Sequence, residues 1–293
     1  MGSVIQILLQ TLPMVGVMAL STLGITLTYR AANVANFAQS VLATMGAFTA
    51  AWMFRQWGVS PWLSLLGGVG VCFVVGWVID VLVVGNLSTS SVGRVMITLG
   101  LILIFTAVTP MIFGVIPYDL QRFFPGNFDF EMGGRTFTMT RNGLFTFLFA
   151  GVVIAVVFAA LNLTKWGLSV RATASNSTVA AMMGINTKRI TAMSWAISSG
   201  CAALAAVLLG AQTTTVTTTM LVSVQSLALL SFVMGGLSSF HGPVIGAVLI
   251  PIVTALLGMI SGLWANVFLY TLVLLVILLR PNGIFGKKTI EKV

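Results

Sequence analysis

The stretch ITAMSWAISSGCAALAAVLLGAQTTTVTTTMLVSVQSLALLSFVMGGLSSFHGPVIGAVLIPIVTALLGMISGLWANVFLYTLVLLVILL, Ile190–Leu279, runs for 90 residues without one Asp, Glu, Lys or Arg. A water-soluble domain could not cover its surface with such a segment, whereas a bilayer-spanning helix needs about 20 consecutive apolar residues. Four spans fit within it, broken at the Gly, Pro, Asn and Ser clusters that interrupt helices.

The same reading extends outward. Further charge-free gaps cover Met1–Tyr29, Ala31–Phe54, Gln56–Ile79, Val95–Tyr118 and Asn142–Thr164. In all, 6% of the 293 residues are charged and 58% are hydrophobic, with a mean hydropathy of +1.08. A soluble domain carries about 25% charged residues. These values exclude a soluble enzyme, a nucleic-acid-binding domain and a disordered chain. Because the apolar stretches are continuous rather than alternating, they also argue against a transmembrane barrel. The expected fold is an all-α integral membrane protein with eight or nine transmembrane helices, a single domain over residues 1–293. Spans are expected near 5–29, 38–57, 61–84, 93–115, 143–163, 189–210, 220–237, 242–261 and 263–280. The segment 220–237 contains Ser223, Gln225, Ser226 and Ser231, so it also reads as a broken or re-entrant helix, tolerated where protein surrounds it.

Charge sets the orientation. With nine spans, ten basic residues (Arg30, Arg94, Lys165, Arg171, Lys188, Arg189, Arg280, Lys287, Lys288 and Lys292) share one side. Arg55, Arg122, Arg135 and Arg141 lie on the other. The positive-inside rule then puts the N-terminus outside and the C-terminus in the cytoplasm. The net charge of +9 is thereby explained without nucleic acid. No basic n-region opens the chain, so a cleaved signal peptide is not expected.

Two connectors are too long for simple turns. Residues 116–142 form an external loop with a hairpin expected around Met132–Arg135. Residues 164–189 form an internal loop in which Asn176 or Ser177 caps a short helix that Gly184 ends. That helix would present Val179, Ala180, Met182 and Met183, a polarisable docking surface. The alternative is a basic helix lying on the membrane. The Thr213–Thr219 run reads as an external turn, and residues 281–293 as a cytoplasmic tail.

Little here suggests chemistry. The one histidine, His241, has no triad partner, and neither a metal cluster nor a Walker A motif occurs. Cys72 and Cys201 read as small apolar residues. Asp80 is the one acid within a span, a functional hypothesis by default, though near the third span's end it reads as interfacial or paired. Asn33, Asn36 and Gln39 recur at i,i+3, either a polar connector or a pathway lining. Gly242/Gly246 and Gly258/Gly262 are two GxxxG pairs turned about 160° apart, which would let one span approach different neighbours near its two ends.

The segment from Gly167 through Arg171, Ala172, Asn176 and Ala180 to Gly184-Ile185 resembles the GxxxRAxxxNxxxAxxxGI loop of LivH/LivM-type permeases. These are membrane subunits of ABC importers for branched-chain amino acids. Asn36-Phe37-Ala38-Gln39 resembles the family's NFAxG stretch, with Ser40 in place of the glycine. Gly235–Ala247 resembles its GGxGSxxGxxxGA motif, with Ser238 in place of a glycine, and Leu279–Gly286 resembles its RPxGxxG ending. The match is closer to the LivH-like half. Where the family usually carries arginines after an acid, Val81–Ser91 has none.

The resemblance implies a type II-like ABC importer permease fold and no catalysis by this chain. It implies a second homologous permease, two cytoplasmic ATPases that hold ATP and Mg, and an extracytoplasmic substrate-binding protein. The location implied is the bacterial inner membrane. The 164–189 loop, with Arg171, Ala172, Ser175, Asn176, Ala180, Met183 and Gly184, would seat on an ATPase, and the path implied between the two permeases has Asn33, Asn36, Gln39, Thr98, Ser194 and Gln225 as its candidates. The cargo implied is a branched-chain or related amino acid. Urea and short-amide permeases share the family, and a stand-alone channel or secondary transporter is the alternative from another class.

Overall fold

The computed structural model describes residues 2–85, 91–132 and 134–286. Helix α1 (Gly2–Ala32) is followed by α2 (Gln39–Trp57) and α3 (Pro61–Ile79), which runs into a π-helical turn at Asp80–Val84. After α4 (Ser91–Phe113) come the short strand β1 (Tyr118–Asp119) and a hairpin of β2 (Asn127–Met132) and β3 (Arg135–Thr140). Helices α5 (Arg141–Leu163), α6 (Lys165–Ser175), α7 (Ser177–Met182) and α8 (Thr187–Thr213) follow. The chain closes with β4 (Thr215–Val216), α9 (Val222–Gly235), α10 (His241–Ile260) and α11 (Ala265–Leu279).

Local chemistry fixes the helix starts. The Ser60 side chain accepts from Leu63 N, with Pro61 at the first helical position of α3. Thr140 accepts from Gly143 N, Thr164 from Gly167 N and Asn186 from Arg189 N, each satisfying an otherwise orphaned donor.

Helix α8 is the core of the bundle and packs on α1, α2 and α3. It is rich in Ala, Ser and Gly, and the buried side chains include Ala203, Ala205, Ala206 and Ser199. Apolar lipid gives no hydrophobic drive between helices, so small residues that let backbones approach supply the association. A Cβ on Gly76 would meet Ser199 Oγ at 2.3 Å, and one on Gly68 would meet Gly46 O at 2.3 Å. Helices α4 and α5, by contrast, are mostly exposed apolar surface, as lipid-facing helices are.

The two long connectors lie at opposite ends of α5, about 35 Å apart along that helix. At the hairpin end, Gln6 Nε2 donates to Thr138 O at 2.7 Å and Thr138 N donates to Gln6 Oε1 at 3.1 Å, which places the start of α1 there. At the other end, Arg94 Nη1 donates to Ala32 O at 3.1 Å.

Among the described residues six helices are long and apolar enough to cross a membrane, Val4–Ala32, Pro61–Val84, Val92–Phe113, Arg141–Leu163, Thr187–Thr213 and His241–Ile260, and α2, the expected span near 38–57, is not one of them. The expected spans near 220–237 and 263–280 are shorter helices of 14 and 15 residues. At 1.5 Å per residue α9 reaches about 21 Å, less than the roughly 30 Å hydrocarbon core. The threonine run is more than a turn, since β4 pairs antiparallel with β1, Tyr118 opposite Val216. The expected hairpin is present, with Met132 opposite Arg135. Of the two GxxxG pairs, Gly242 and Gly246 do pack, a Cβ meeting Gly235 O at 2.2 Å and Ser231 O at 2.6 Å. A Cβ on Gly258 or Gly262 would meet nothing within 4 Å among the described residues, and Gly262 lies beyond the end of α10, so the second close approach is not made among them. Cys72 and Cys201 are free and buried. Residues 287–293 of the tail lie outside the described residues.

Candidate translocation and coupling sites

Helix α1 ends at Ala32, and Asn33 turns the chain out of the helix in the left-handed region at φ 55°, its N–H donating to Tyr29 O at 2.7 Å. Asn tolerates this conformation better than most residues. Residues 34–36 are non-helical, so the expected i,i+3 helical face of Asn33, Asn36 and Gln39 is not formed. The break arises because the chain must turn back into the bundle. Gln39, the first residue of α2, donates from Nε2 to Ser21 O at 2.7 Å. Between Ser21 and Ala32 lie about 16 Å of helix. Helix α2 therefore starts deep within the bundle, not at its edge.

Helix α9 starts at the same depth from the opposite direction. The chain leaves α8 at the hairpin end, where Leu120 N donates to Thr214 O, and descends without helix to Leu221. Gln225 Nε2, on the first turn of α9, then donates to Asn36 O at 3.3 Å. From there α9 runs toward the far end, with Phe232 edge-on to Tyr29 at 5.0 Å.

Two interrupted helices thus begin next to one another at mid-depth. Neither start has a side-chain cap. The first N–H groups of a helix have no intrahelical partner and carry the positive end of its dipole. Around them lie Ser21, Gln39, Ser40, Ala43, Ala202, Leu221, Val224 and Gln225, a cleft closed so tightly that no water fits. Ser198 Oγ donates to Gly24 O at 2.8 Å and Gln39 Oε1 at 3.2 Å, holding the Gln39 amide in place. Asn36 is fully buried, its Oδ1 accepting from Ala38 N at 3.1 Å while its Nδ2 has no partner.

Three of the six path candidates, Asn36, Gln39 and Gln225, are therefore brought together. Asn33 is exposed at the end of the bundle. Thr98 donates to Val95 O on α4 and Ser194 to Ile190 O on α8; neither lines the cleft. Sequence reasoning missed Ser21 and Ser198. A run of Ser within α8, the most buried span, is the signal that could have marked Ser198.

The 164–189 connector folds as two helices. Helix α6 is anchored, with Val170 fully buried against Leu23, Leu27 and Leu161. A Cβ on Gly167 would meet Leu161 O at 2.2 Å, so only glycine allows this tight entry from α5. Asn176 Oδ1 accepts from Thr178 N and Val179 N, both at 3.0 Å, and caps α7. Gly184, at φ 85°, ends the turn as expected. Helix α7 turns an apolar side outward: Met182 is 80% exposed and Met183 78%, with Val179 also exposed. Arg171, Ser175 and Asn176 are exposed and Ala172 is half-buried. Ala180 departs from expectation. It is buried and faces inward, because a one-and-a-half-turn helix must bury one side to stay docked.

Asp80 is hydrogen-bonded through one carboxylate oxygen only, its buried Oδ1 having no hydrogen-bond partner among the described residues. It is buried in the π turn, and Thr191 Oγ1, on the second turn of α8, donates to its Oδ2 at 3.1 Å. At the hairpin end Asn142 Oδ1 accepts from Phe123 N at 3.0 Å and its Nδ2 donates to Gln212 Oε1 at 3.0 Å, tying the 116–142 loop to α8. No group of three metal-ligating side chains occurs among the described residues.

Comparison with known proteins places these features in a family context. The model of a family described as branched-chain amino acid transport system / permease component matches residues 7–278. The chain is 28% identical, over 92% of its length and 88% of the relative's, to a probable branched-chain amino acid transport permease protein LivH of Methanocaldococcus jannaschii. It is 24% identical, over 94% of its length and 93% of the relative's, to the high-affinity branched-chain amino acid transport system permease protein LivH of Escherichia coli. It is 30% identical, over 58% of its length and 56% of the relative's, to the corresponding BraD protein of Pseudomonas aeruginosa.

Proposed function

The chain belongs to the branched-chain amino acid transport permease family, and on that premise we propose that it is the membrane-spanning subunit of an ATP-driven importer for branched-chain or related amino acids. It is a multi-pass membrane protein. Its closed cleft at the starts of α2 and α9 is one half of the translocation path, completed by a second, homologous permease.

The observation that carries this reading is the pair of uncapped helix starts at mid-depth. Discontinuous helices are a recurrent way to present polar backbone to a solute inside a membrane, and their N-termini favour a carboxylate. The Gln39 and Gln225 amides supply neutral polar contacts. Among the described residues no charged side chain lines the cleft, which suits a zwitterion handed over by a separate binding protein.

Energy enters from outside the chain. In the orientation with the 164–189 connector in the cytoplasm of a bacterium, α7 docks Val179, Met182 and Met183 into an ATPase subunit that holds the ATP and Mg. Closure of the ATPase pair shifts α7, and α6 passes the movement to α1 and α5, on which it packs. The 116–142 loop faces outward and receives the substrate-binding protein.

The experiment is reconstitution of the complex in proteoliposomes with radiolabelled leucine supplied through the binding protein. Uptake requires ATP on the α7 side and every partner. Flux through this chain alone without ATP would instead indicate a channel or secondary transporter. Uptake of urea but not leucine would move the cargo to the short-amide branch.

A further inference from the structure

A second cavity, of about 570 Å³, opens beneath the bundle at the end opposite the hairpin, between the α6–α7 junction and the ends of α1, α4 and α8. It is separate from the mid-depth cleft, with which it shares no lining residue. Three cations line it, Arg30, Arg94 and Lys188, together with the hydroxyls of Thr173, Thr187 and Thr191. No acidic side chain occurs among its described lining residues.

The cations are incompletely satisfied. Arg94 Nη1 donates to Ala32 O at 3.1 Å, but its Nε is buried without a partner. Arg30 lies 5.0 Å over the Phe240 ring, and its Nε is also buried and unpartnered. Thr173 is 5% exposed and its Oγ1 has no partner. Asp80, the nearby acid, is engaged by Thr191 and lines the neighbouring groove with Trp77 and Trp166. Arg94 shares its field with Asp80, whereas no acid among the described lining residues balances Arg30 and Lys188; buried donors without acceptors are costly, and clustered cations repel one another.

We propose that this cavity is a binding site for a small oxyanion, a free amino acid's carboxylate or inorganic phosphate, taken from the solution on the α7 side. The anion accepts from Arg30, Arg94 and Thr173, with Lys188 at the mouth. Thr173 sits on α6, Lys188 on α8, Arg30 on α1 and Arg94 on α4, so the occupant links the segment bearing α7 to three helices of the bundle. The site adds occupancy-dependent stiffness to the connector. It needs neither the cargo nor the partners proposed above.

The test is thermal unfolding of the full chain in nanodiscs of zwitterionic lipid. Leucine, leucinamide, sodium phosphate and sodium chloride are compared at matched ionic strength. A saturable rise in Tm is expected with leucine, with phosphate or with both, and which of them acts identifies the source. Leucinamide, which lacks the carboxylate, is expected to match chloride. Arg94→Gln should weaken the apparent affinity about tenfold through loss of a charge-assisted contact. Lys188→Gln, at an exposed position that tolerates change, should weaken it in the same direction should the arginine variant fail to fold. Shifts no larger than with chloride for both leucine and phosphate, a leucine shift above that of chloride which leucinamide equals, or a shift that Lys188→Gln leaves unchanged would each overturn the proposal.

Discussion

Gln39 Nε2 donates to the carbonyl of Ser21 at 2.7 Å, joining the first residue of one helix to the middle of another. That bond fixes α2 at mid-depth and sets the geometry of the cleft. Replacing Gln39 with Leu would remove two buried hydrogen bonds, one to Ser21 O and one from Ser198 Oγ, which keeps Gly24 O as its acceptor. The expected loss is about 1–3 kcal/mol of stability. Gln39→Glu keeps the shape but places a negative charge where the helix starts are positive and a substrate carboxylate must pass. Uptake is expected to fall sharply while the variant still assembles, measured by transport and by co-purification of the partners.

Gly184 sits at φ 85° and its N–H donates to Ala181 O at 3.0 Å. Proline fixes φ near −65° and removes that donor. Gly184→Pro is therefore expected to distort the exit from α7 and uncouple ATP hydrolysis from uptake, with membrane insertion retained. Parallel ATPase and uptake assays check it, and normal uptake would remove α7 from the coupling role.

Met182 and Met183 make little contact with the rest of the chain. Changing both to Ser should shift stability by less than about 0.5 kcal/mol, since exposed positions tolerate polar residues. Co-purification with the ATPase is nevertheless expected to drop. Unchanged co-purification would mean that the exposed methionines meet no ATPase.

The two glycine pairs of the α10 region should behave oppositely. Gly246→Val would drive a branched side chain into the Ser231 backbone, which a Cβ alone already meets at 2.6 Å. A loss of about 1–3 kcal/mol is expected from such overpacking. Gly258→Ala faces open space within this chain and should leave the isolated subunit's Tm within experimental error. Thermal unfolding of the two variants side by side decides it.

Charge-free gaps made the membrane-spanning character legible, because uncharged runs of this length have few other physical explanations. Hydropathy placed the hairpin end and the connector end on opposite sides, and Asn176 and Gly184 were readable as the boundaries of α7 because capping is local chemistry. The depth of a helix start is not local. Nothing in Asn33–Ala38 or in 214–221 distinguishes a loop at the bilayer surface from one folded back inside; only Gln39 reaching Ser21 and Gln225 reaching Asn36 O reveal it. The pairing of β1 with β4 and the inward face of Ala180 depend likewise on distant packing. Gly242 and Gly258 look alike in sequence and differ because Gly242 packs on α9, whereas a Cβ on Gly258 would meet nothing within 4 Å among the described residues.

The central claim is that solute crosses between the starts of α2 and α9. Ser40 lines that cleft and is only half-buried. In a chain with Cys72 and Cys201 replaced by Ala, Ser40→Cys in the reconstituted complex can be probed with a membrane-impermeant thiol reagent added to either side. The account predicts that labelling changes sides during ATP turnover and that transported substrate slows it. A cysteine at position 40 that stays unreactive from both sides while the complex is transporting would contradict it.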